Sequence, residues 1–312
     1  MKVLITGACG YIGSVLTNYL LNKNYKIIAI DTQWFGKNLK EHKNLKIIKK
    51  DFRNINDDDL KNVSSVIHLA NIANDPSSEI NPELSWNINT LGTMQIIELC
   101  KKNKVKQFLY GSSGSVYGIK VEKNVTEDLS LLPISLYNKT KMIAERILLS
   151  YSNDIKIHII RPATVCGYSD RLRLDVAVNM LTYQALKNKK ITVLGGNQIR
   201  PNLHIQDMVQ IYHHFLIKKS LPAGCYNAGF ENISIIDLAK KIQKKINCKI
   251  IIKKSNDPRS YRLNSDKLLK TGYKQKFFVE DGITEIKNRL NLSKINKNSF
   301  TVLKMKKLNL KD

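Results

Sequence analysis

A tyrosine four residues ahead of a lysine on a helix shares a face with it, because four residues turn the chain through about 400°. Such a pair can pass a proton to or from an alcohol: a neighbouring ammonium brings a phenol of pKa ≈ 10 within reach of neutral pH. The spacing occurs at Tyr19/Lys23, Tyr137/Lys141 and Tyr183/Lys187. Context selects Tyr137. Ahead of it an apolar run, Gln107-Phe108-Leu109-Tyr110, ends in Gly111-Ser112-Ser113-Gly114-Ser115-Val116-Tyr117-Gly118, so hydroxyls stand where a strand would open into a crevice. Ser113 is placed to donate to the same oxygen as Tyr137. The other two pairs have no such partner and read as ordinary helix faces.

A second group of residues is suited to binding. The opening run Val3–Thr6 leads into Gly7-Ala8-Cys9-Gly10-Tyr11-Ile12-Gly13, and an amphipathic stretch with Val15, Leu16, Tyr19 and Leu20 follows. Glycines let the turn adopt unusual φ, let a pyrophosphate approach bare backbone, and let the helix pack close to the strand. A merely tight turn would use them too. Against that alternative, Ile28-Ala29-Ile30-Asp31 ends the next run in a carboxylate placed to accept from ribose hydroxyls and to repel a 2′-phosphate, which points to NAD rather than NADP. Asp51-Phe52 closes the third run, where the acid would accept from an adenine amino group.

The elements that must position these residues are legible in the hydrophobic pattern. Val3–Thr6, Lys26–Ile30, Lys46–Lys49, Ser65–Leu69, Gln107–Tyr110 and Lys156–Ile160 read as strands apolar on both faces, with helical patterns between most of them. This predicts an α/β fold, a Rossmann-type doubly wound parallel sheet. From Cys166 helices dominate (Asp175–Lys187, Gln206–Lys218, Ile235–Ile246, Glu280–Leu290), interleaved with single strands at Ile191–Leu194, Cys225–Ala228 and Lys249–Ile252. A smaller mixed lobe is expected from 166–199 and 228–290, packed on a 1–165 domain that also receives 200–227. Residues 291–312 read as a basic tail or a loosely docked extension.

The chain has 312 residues, enough for one large or two modest domains. Lys+Arg 51 against Asp+Glu 26 gives a formal net charge of +25, which raises the possibility of an anionic partner. The lysines are scattered through strands, helices and loops, where a binding face would cluster them, so nucleic acid is not the expected partner. Five widely spaced cysteines without ligand spacing predict a reducing, cytoplasmic compartment and no metal. No run approaches eighteen apolar residues, so no membrane span is expected.

The Gly7–Gly13 loop, Asp31, Asp51, His68-Leu69-Ala70, Asn89-Thr90-Leu91-Gly92-Thr93, Ser113, Tyr137-x-x-x-Lys141 and Arg161-Pro162 together resemble the extended short-chain dehydrogenase/reductase family. Within it they are most similar to the NAD-dependent sugar-nucleotide epimerase/dehydratase group, in that family's order and spacing up to about residue 290. The resemblance implies that Tyr137 is the general base, Lys141 its electrostatic partner and a ribose ligand, and Ser113 the hydroxyl that orients the sugar. It places NAD against Gly7, Gly10, Tyr11, Ile12, Gly13, Asp31, Asp51, Phe52, Leu69, Ala70, Asn89, Tyr137, Lys141 and Pro162. It places a nucleotide-sugar substrate near Ser115, Thr164, Asn179, Arg200 and Arg259. Arg171 and Arg173, in Tyr168-Ser169-Asp170-Arg171-Leu172-Arg173-Leu174-Asp175, meet phosphate or sugar, or else clamp the loop by pairing with Asp170 or Asp175. Cys166 reads as packing.

Departures from the family pattern narrow the expectation. Dehydratases of this group carry Asp-Glu after the catalytic Ser or Thr, where this chain has Gly114 and Ser115; 3,5-epimerases usually carry a Cys at Ser115. What remains is oxidation and reduction at one carbinol. The reading is an NAD-dependent nucleotide-sugar 4-epimerase in surface polysaccharide synthesis. Thr164 replaces the typical epimerase Asn, and the 168–175 run is similar to a branch acting on GDP-linked sugars or heptoses, so a nucleotide-sugar 4-dehydrogenase is the alternative. A non-catalytic NAD-sensing or nucleic-acid-binding protein is the remote one. The family's habit also implies a homodimer through helices Asn89–Lys101 and Leu136–Leu149, with Ile96, Ile97, Ile143 and Ile147 compatible with either that interface or packing on the sheet.

Overall fold

The computed structural model describes residues 1–255 and 260–308. Its strands are β1 (Lys2–Thr6), β2 (Lys26–Asp31), β3 (Leu45–Lys49), β4 (Ser65–His68), β5 (Gln107–Gly111), β6 (Lys156–Pro162), β7 (Thr164–Cys166), β8 (Lys190–Leu194), β9 (Ile199–His204), β10 (Gly224–Ala228), β11 (Glu231–Ser234) and β12 (Lys249–Lys253). Seven of these form one parallel sheet in the order β10-β6-β5-β4-β1-β2-β3. The six strands read from the first half of the sequence are all present, with ends that differ by one or two residues.

Helices α1 (Tyr11–Asn22), α2 (Asp57–Leu60), α3 (Asp75–Ser78), α4 (Pro82–Trp86), α5 (Gly92–Lys102), α6 (Leu136–Ser150), α7 (Ala177–Asn188), α8 (Ile205–Ile217), α9 (Ile235–Lys245), α10 (Asp266–Lys270), α11 (Val279–Arg289) and α12 (Thr301–Leu308) complete the order. Leu16 and Leu20 of α1 and Met208, Ile211 and Phe215 of α8 pack in one buried cluster with Val3 and Ile5. Ile96 and Ile97 of α5 and Ala144 and Leu148 of α6 pack in another, with Leu4 and Phe108. Alternation of β1 side chains between these two clusters is why both faces of the sheet are covered and why its strands read as unbroken apolar runs.

A three-stranded sheet, β11-β9-β7, and a two-stranded one, β12-β8, carry the C-terminal half. Within 200–227, α8 and β10 pack on the large sheet while β9 stays in the small one. Ile96 and Ile97 lie in the core, at 2% and 0% exposure, so they are not available to a partner. The start of α5 also differs from expectation. Asn87–Leu91 winds as a wider π-type turn, and Gly92 follows where a Cβ would come within 2.7 Å of the Phe52 ring.

Of the two expectations for the C-terminal stretch, a tail or a loosely docked extension, the described residues give a docked one, held by hydrogen bonds and buried side chains. Ser299–Leu308 docks: Leu174 N–H donates to Ser299 O at 2.8 Å, and Thr301 and Met305 are buried. The sequence concealed this because α12 is short and half lysine on its outer side.

Candidate active site

The C-terminal ends of the parallel strands open onto one crevice of about 550 Å³, a volume ordinary for a small-molecule site. At one end lies the glycine loop. Gly7 has φ +69°, and a Cβ there would meet Ala70 N at 2.7 Å; a Cβ on Gly13 would meet Gly7 O at 2.1 Å. Only bare backbone fits between β1, α1 and the β4 loop. Gly10 caps α1 without a side-chain bond, so the first N–H groups of the helix face the crevice as an anion site. Asp31, at the end of β2, accepts from Cys9 N–H at 2.9 Å and Gln33 N–H at 2.6 Å. Burial lifts its pKa above the usual carboxylate value, against the pull of those two N–H bonds. This cradle fits the diphosphate and ribose of a dinucleotide.

At the other end Ser113, Ser115 and Tyr137 line the crevice together with Pro162, Ala163 and Thr164. Ser135 caps α6, and Tyr137 follows in its first turn. The Ser113 hydroxyl lies 2.6 Å from Ser115 Oγ and near enough to the Tyr137 phenol to lower its pKa. Lys141, only 1% exposed, has Nζ 5.9 Å from the Tyr137 ring centre. It donates to Gly111 O at 2.7 Å and lies 4.6 Å over the Tyr110 ring. The electrostatics correct the expectation that Lys141 depresses the phenol. Burial dominates and pushes Tyr137 up to about 12, opposed by Arg173 and Ser113. Burial likewise pulls Lys141 down to about 7, with Glu145 opposing. Burial thus suppresses the acidity of the Tyr137 phenol in this fold.

The other two Tyr/Lys pairs make the same local contact, 5.9 Å at Tyr19/Lys23 and 5.4 Å at Tyr183/Lys187, but both of those lysines are exposed and neither pair reaches the crevice.

Several predicted residues are placed differently. Asn89 does not line the crevice; its amide accepts from Ile72 N–H and donates to Ile72 O and Thr140 Oγ1, holding the β4 loop from behind. Asn179 is fully buried, with its amide on Gly167 N–H, Gly167 O, Arg173 O and Tyr11 Oη, so it ties the loop down and leaves nothing to offer a substrate. Tyr11 lines the crevice but spends its hydroxyl on Gly167 O. Asp51 lines it while gripping the Arg53 guanidinium, 2.9 Å at the nearest contact. Gly7, Gly10, Ile12, Gly13, Phe52, Leu69 and Ala70 line it as expected, as do Arg171, Arg173 and Arg200. Of the two readings of the loop arginines, the clamp is present for Arg173, whose Nε donates to Asp175 at 3.0 Å; Arg171 donates instead to Thr301 Oγ1 at 3.0 Å. Arg259 lies outside the described residues. Cys166 is fully buried, as packing requires.

Two residues, Glu145 and Tyr212, were missed, and Asp175, expected only as a clamp partner of the loop arginines, holds more than Arg173. Glu145 lies one turn beyond Lys141 on the same face, a spacing that could have flagged it; it accepts from Ser112 Oγ and, bidentately, from Arg161, with Nη2 at 2.7 Å. Asp175 gathers bonds from Asn74, Arg173 and Thr301. Tyr212 lines the crevice floor near Gly111, and its buried hydroxyl has no partner among the described residues. Nothing local in the sequence marks it.

The buried amine gives a measurable signature. Unfolded, Lys141 holds its proton to about 10.5, whereas in the fold it releases it near 7. Between those values the unfolded state binds the extra proton, so this group makes stability rise with pH from 7 toward 10. Denaturant melts of wild type and Lys141→Met across that range are expected to diverge, wild type gaining relative to the variant; parallel curves would contradict the burial of a neutral amine.

Residues 3–229 match a family model described as the NAD dependent epimerase/dehydratase family. A Bacillus subtilis relative named uncharacterized UDP-glucose epimerase YtcB is 33% identical over 261 residues, covering 78% of this chain and 81% of its own. The solved UDP-glucuronic acid 4-epimerase from Bacillus cereus, in complex with UDP-glucuronic acid and NAD, is similar with a TM-score of 0.81 and 28% identity, covering 99% of this chain and 100% of that one. MoeE5, solved with UDP-glucuronic acid and NAD, gives a TM-score of 0.82 at 25% identity over 91% of this chain and 97% of its own. With most of its length matched and the cradle built to fit the cofactor, this protein belongs to the NAD-dependent epimerase/dehydratase family and is an enzyme whose cofactor is NAD.

Proposed function

We propose that the enzyme is a nucleotide-sugar 4-epimerase that works through one proton-transferring couple, Tyr137 with Ser113. The observation that carries this reading is the state of the carboxylates on the crevice wall. Asp31 is held by two backbone N–H groups, Asp51 by Arg53, Asp175 by Arg173 and Thr301, and Asp75 accepts from Ser135 Oγ at 2.7 Å. A dehydration needs a further acid and base beside the reacting carbons. Here Gly114 and Ser115 stand next to Ser113, and Ser115 Oγ donates to Asn138. A single carbinol is what this set can serve.

In this reading the N–H groups of the Gly7–Gly13 loop hold the diphosphate of NAD, Asp31 one ribose and Lys141 the other. The cofactor, when bound, supplies a two-electron acceptor for the hydride of the sugar C4 and can return it. Ser113 orients the C4 hydroxyl, and Tyr137 Oη takes its proton in one direction and gives it back in the other. A phenol raised to about 12 by burial is a poor base, so the positive charge of the oxidised nicotinamide, with Arg173, must lower it for the forward step. Arg200 and Thr164, on the β7/β9 side, are proposed to meet the nucleotide-sugar, whose epimerised form would be an activated unit for surface polysaccharide. We also propose a homodimer through α5 and α6. Leu91 just ahead of α5, Met94 on α5 and Ile143 on α6 are 46%, 39% and 36% exposed, an apolar strip that suits a partner.

Purified enzyme with UDP-, GDP-, dTDP- and CDP-sugars and NAD is expected to produce a C4 stereoisomer by NMR with no net absorbance at 340 nm. NADH accumulating with a keto-sugar would instead establish a 4-dehydrogenase. Tyr137→Phe is expected to lower kcat by at least ~10²-fold while NAD still binds; substantial residual turnover would remove Tyr137 as the main base. Met94→Arg with Ile143→Arg is expected to shift the mass by light scattering from dimer to monomer, and an unchanged mass would exclude this interface.

A further inference from the structure

The crevice wall beside Asp31 contains a segment that lies beyond the family match: Thr301, Val302 and Met305 of α12 line it alongside Trp34, Phe35 and Ile72. Met305 is 5% exposed and packs in one buried cluster with Trp34, Phe35, Phe52 and Ile72. These side chains are apolar or aromatic, and they stand next to the carboxylate assigned above to a ribose. That is the lining a planar base requires.

The helix is not resting there by apolar contact alone. Asp175 accepts from Thr301 N–H at 3.1 Å, Thr301 Oγ1 at 3.3 Å, Asn74 Nδ2 at 3.0 Å and Arg173 Nε at 3.0 Å. Arg171, 5% exposed, donates to Thr301 Oγ1 at 3.0 Å and lies 4.0 Å over the Phe35 ring. Leu174 N–H donates to Ser299 O at 2.8 Å. One carboxylate thus ties together the loop after β4, the 171–175 loop and the start of α12, while Arg171 bridges α12 to the loop after β2.

We propose that α12, latched by Arg171 and Asp175, forms the outer wall of the adenosine subsite, so that the adenosine half of NAD enters and leaves only when the C-terminal helix is lifted. The proposal rests on the assignment of Asp31 to the adenosine ribose. In it Arg171 is a positioning residue of the cofactor site, not a ligand of the sugar. Holding the helix in place in advance removes an ordering cost from binding and slows release, since the latch bonds must break first.

Three full-length variants test it, with NAD and ADP as probes, ADP carrying the adenosine half alone. Val302→Asp puts a charge on the crevice side of α12; Thr301→Val is nearly isosteric and deletes the hydroxyl shared by Arg171 and Asp175; Asp31→Ala reports on the ribose assignment. Calorimetry is expected to show ADP and NAD weakened by a similar factor, roughly tenfold or more for Val302→Asp and severalfold for Thr301→Val, with faster NAD release by fluorescence displacement of NADH. Thr301→Val keeps the test valid if Val302→Asp fails to fold. If Asp31→Ala weakens both probes while the α12 variants bind them within about twofold of wild type, the latch is overturned and the ribose assignment stands. If none of the three changes ADP affinity, the ribose assignment fails and the proposal falls with it.

Discussion

A lysine buried to 1% exposure beneath a strand end is the constraint on which the active site depends. An ammonium there must be compensated or lose its proton, and Lys141 is held between both outcomes: burial drags its pKa to about 7, while Glu145 pulls the other way. Its amine is fixed on Gly111 O, which anchors α6 to the end of β5. Glu145 in turn bonds Ser112 on β5 and the Arg161 fork on β6, and Arg161 Nη1 donates to Tyr117 Oη at 2.7 Å. Removing one member of so buried a pair leaves an uncompensated charge. Tyr137 and Ser113 face each other because this frame joins the helix of one to the strand of the other.

The α/β architecture was legible because its strands are buried on both faces and their apolar runs are unambiguous. The glycine loop and Asp31 were legible because their residue types are forced by backbone proximity: a Cβ 2.1 Å from Gly7 O cannot exist, so Gly13 has to be glycine. Tyr137 was legible only through context, since Tyr19/Lys23 and Tyr183/Lys187 satisfy the same helical spacing and even the same approach distance. Burial separates them, and burial is a tertiary quantity.

What was not legible is tertiary for the same reason. Asn89 and Asn179 sit within family-like runs, but whether an amide faces a crevice or the backbone behind it depends on which loop the chain brings alongside; here Ile72 and Gly167 claim them. Nor did composition show that α12 docks. Its burial rests on Thr301 and Met305 alone, too few residues to set a period, and on Asp175, which lies 126 residues away in sequence from its Thr301 partner. The basic charge shows the opposite limit. A net +25 invites a partner-binding reading, yet it carries little weight beside four crevice carboxylates whose individual partners restrict what chemistry can follow.

The proposal turns on that restriction: one proton couple, one carbinol and, among the described residues, no carboxylate pair beside Ser113 to act on a neighbouring carbon. It is tested most directly by running the reaction to equilibrium in D2O on the nucleotide-sugar the enzyme accepts and assigning deuterium in the product by NMR. An enzyme confined to Tyr137 and Ser113 exchanges only hydroxyl protons, so every carbon-bound hydrogen, C4 included, stays protium. Deuterium at C3 or C5 would require a carbon acid and a base to remove its proton, and would contradict the account.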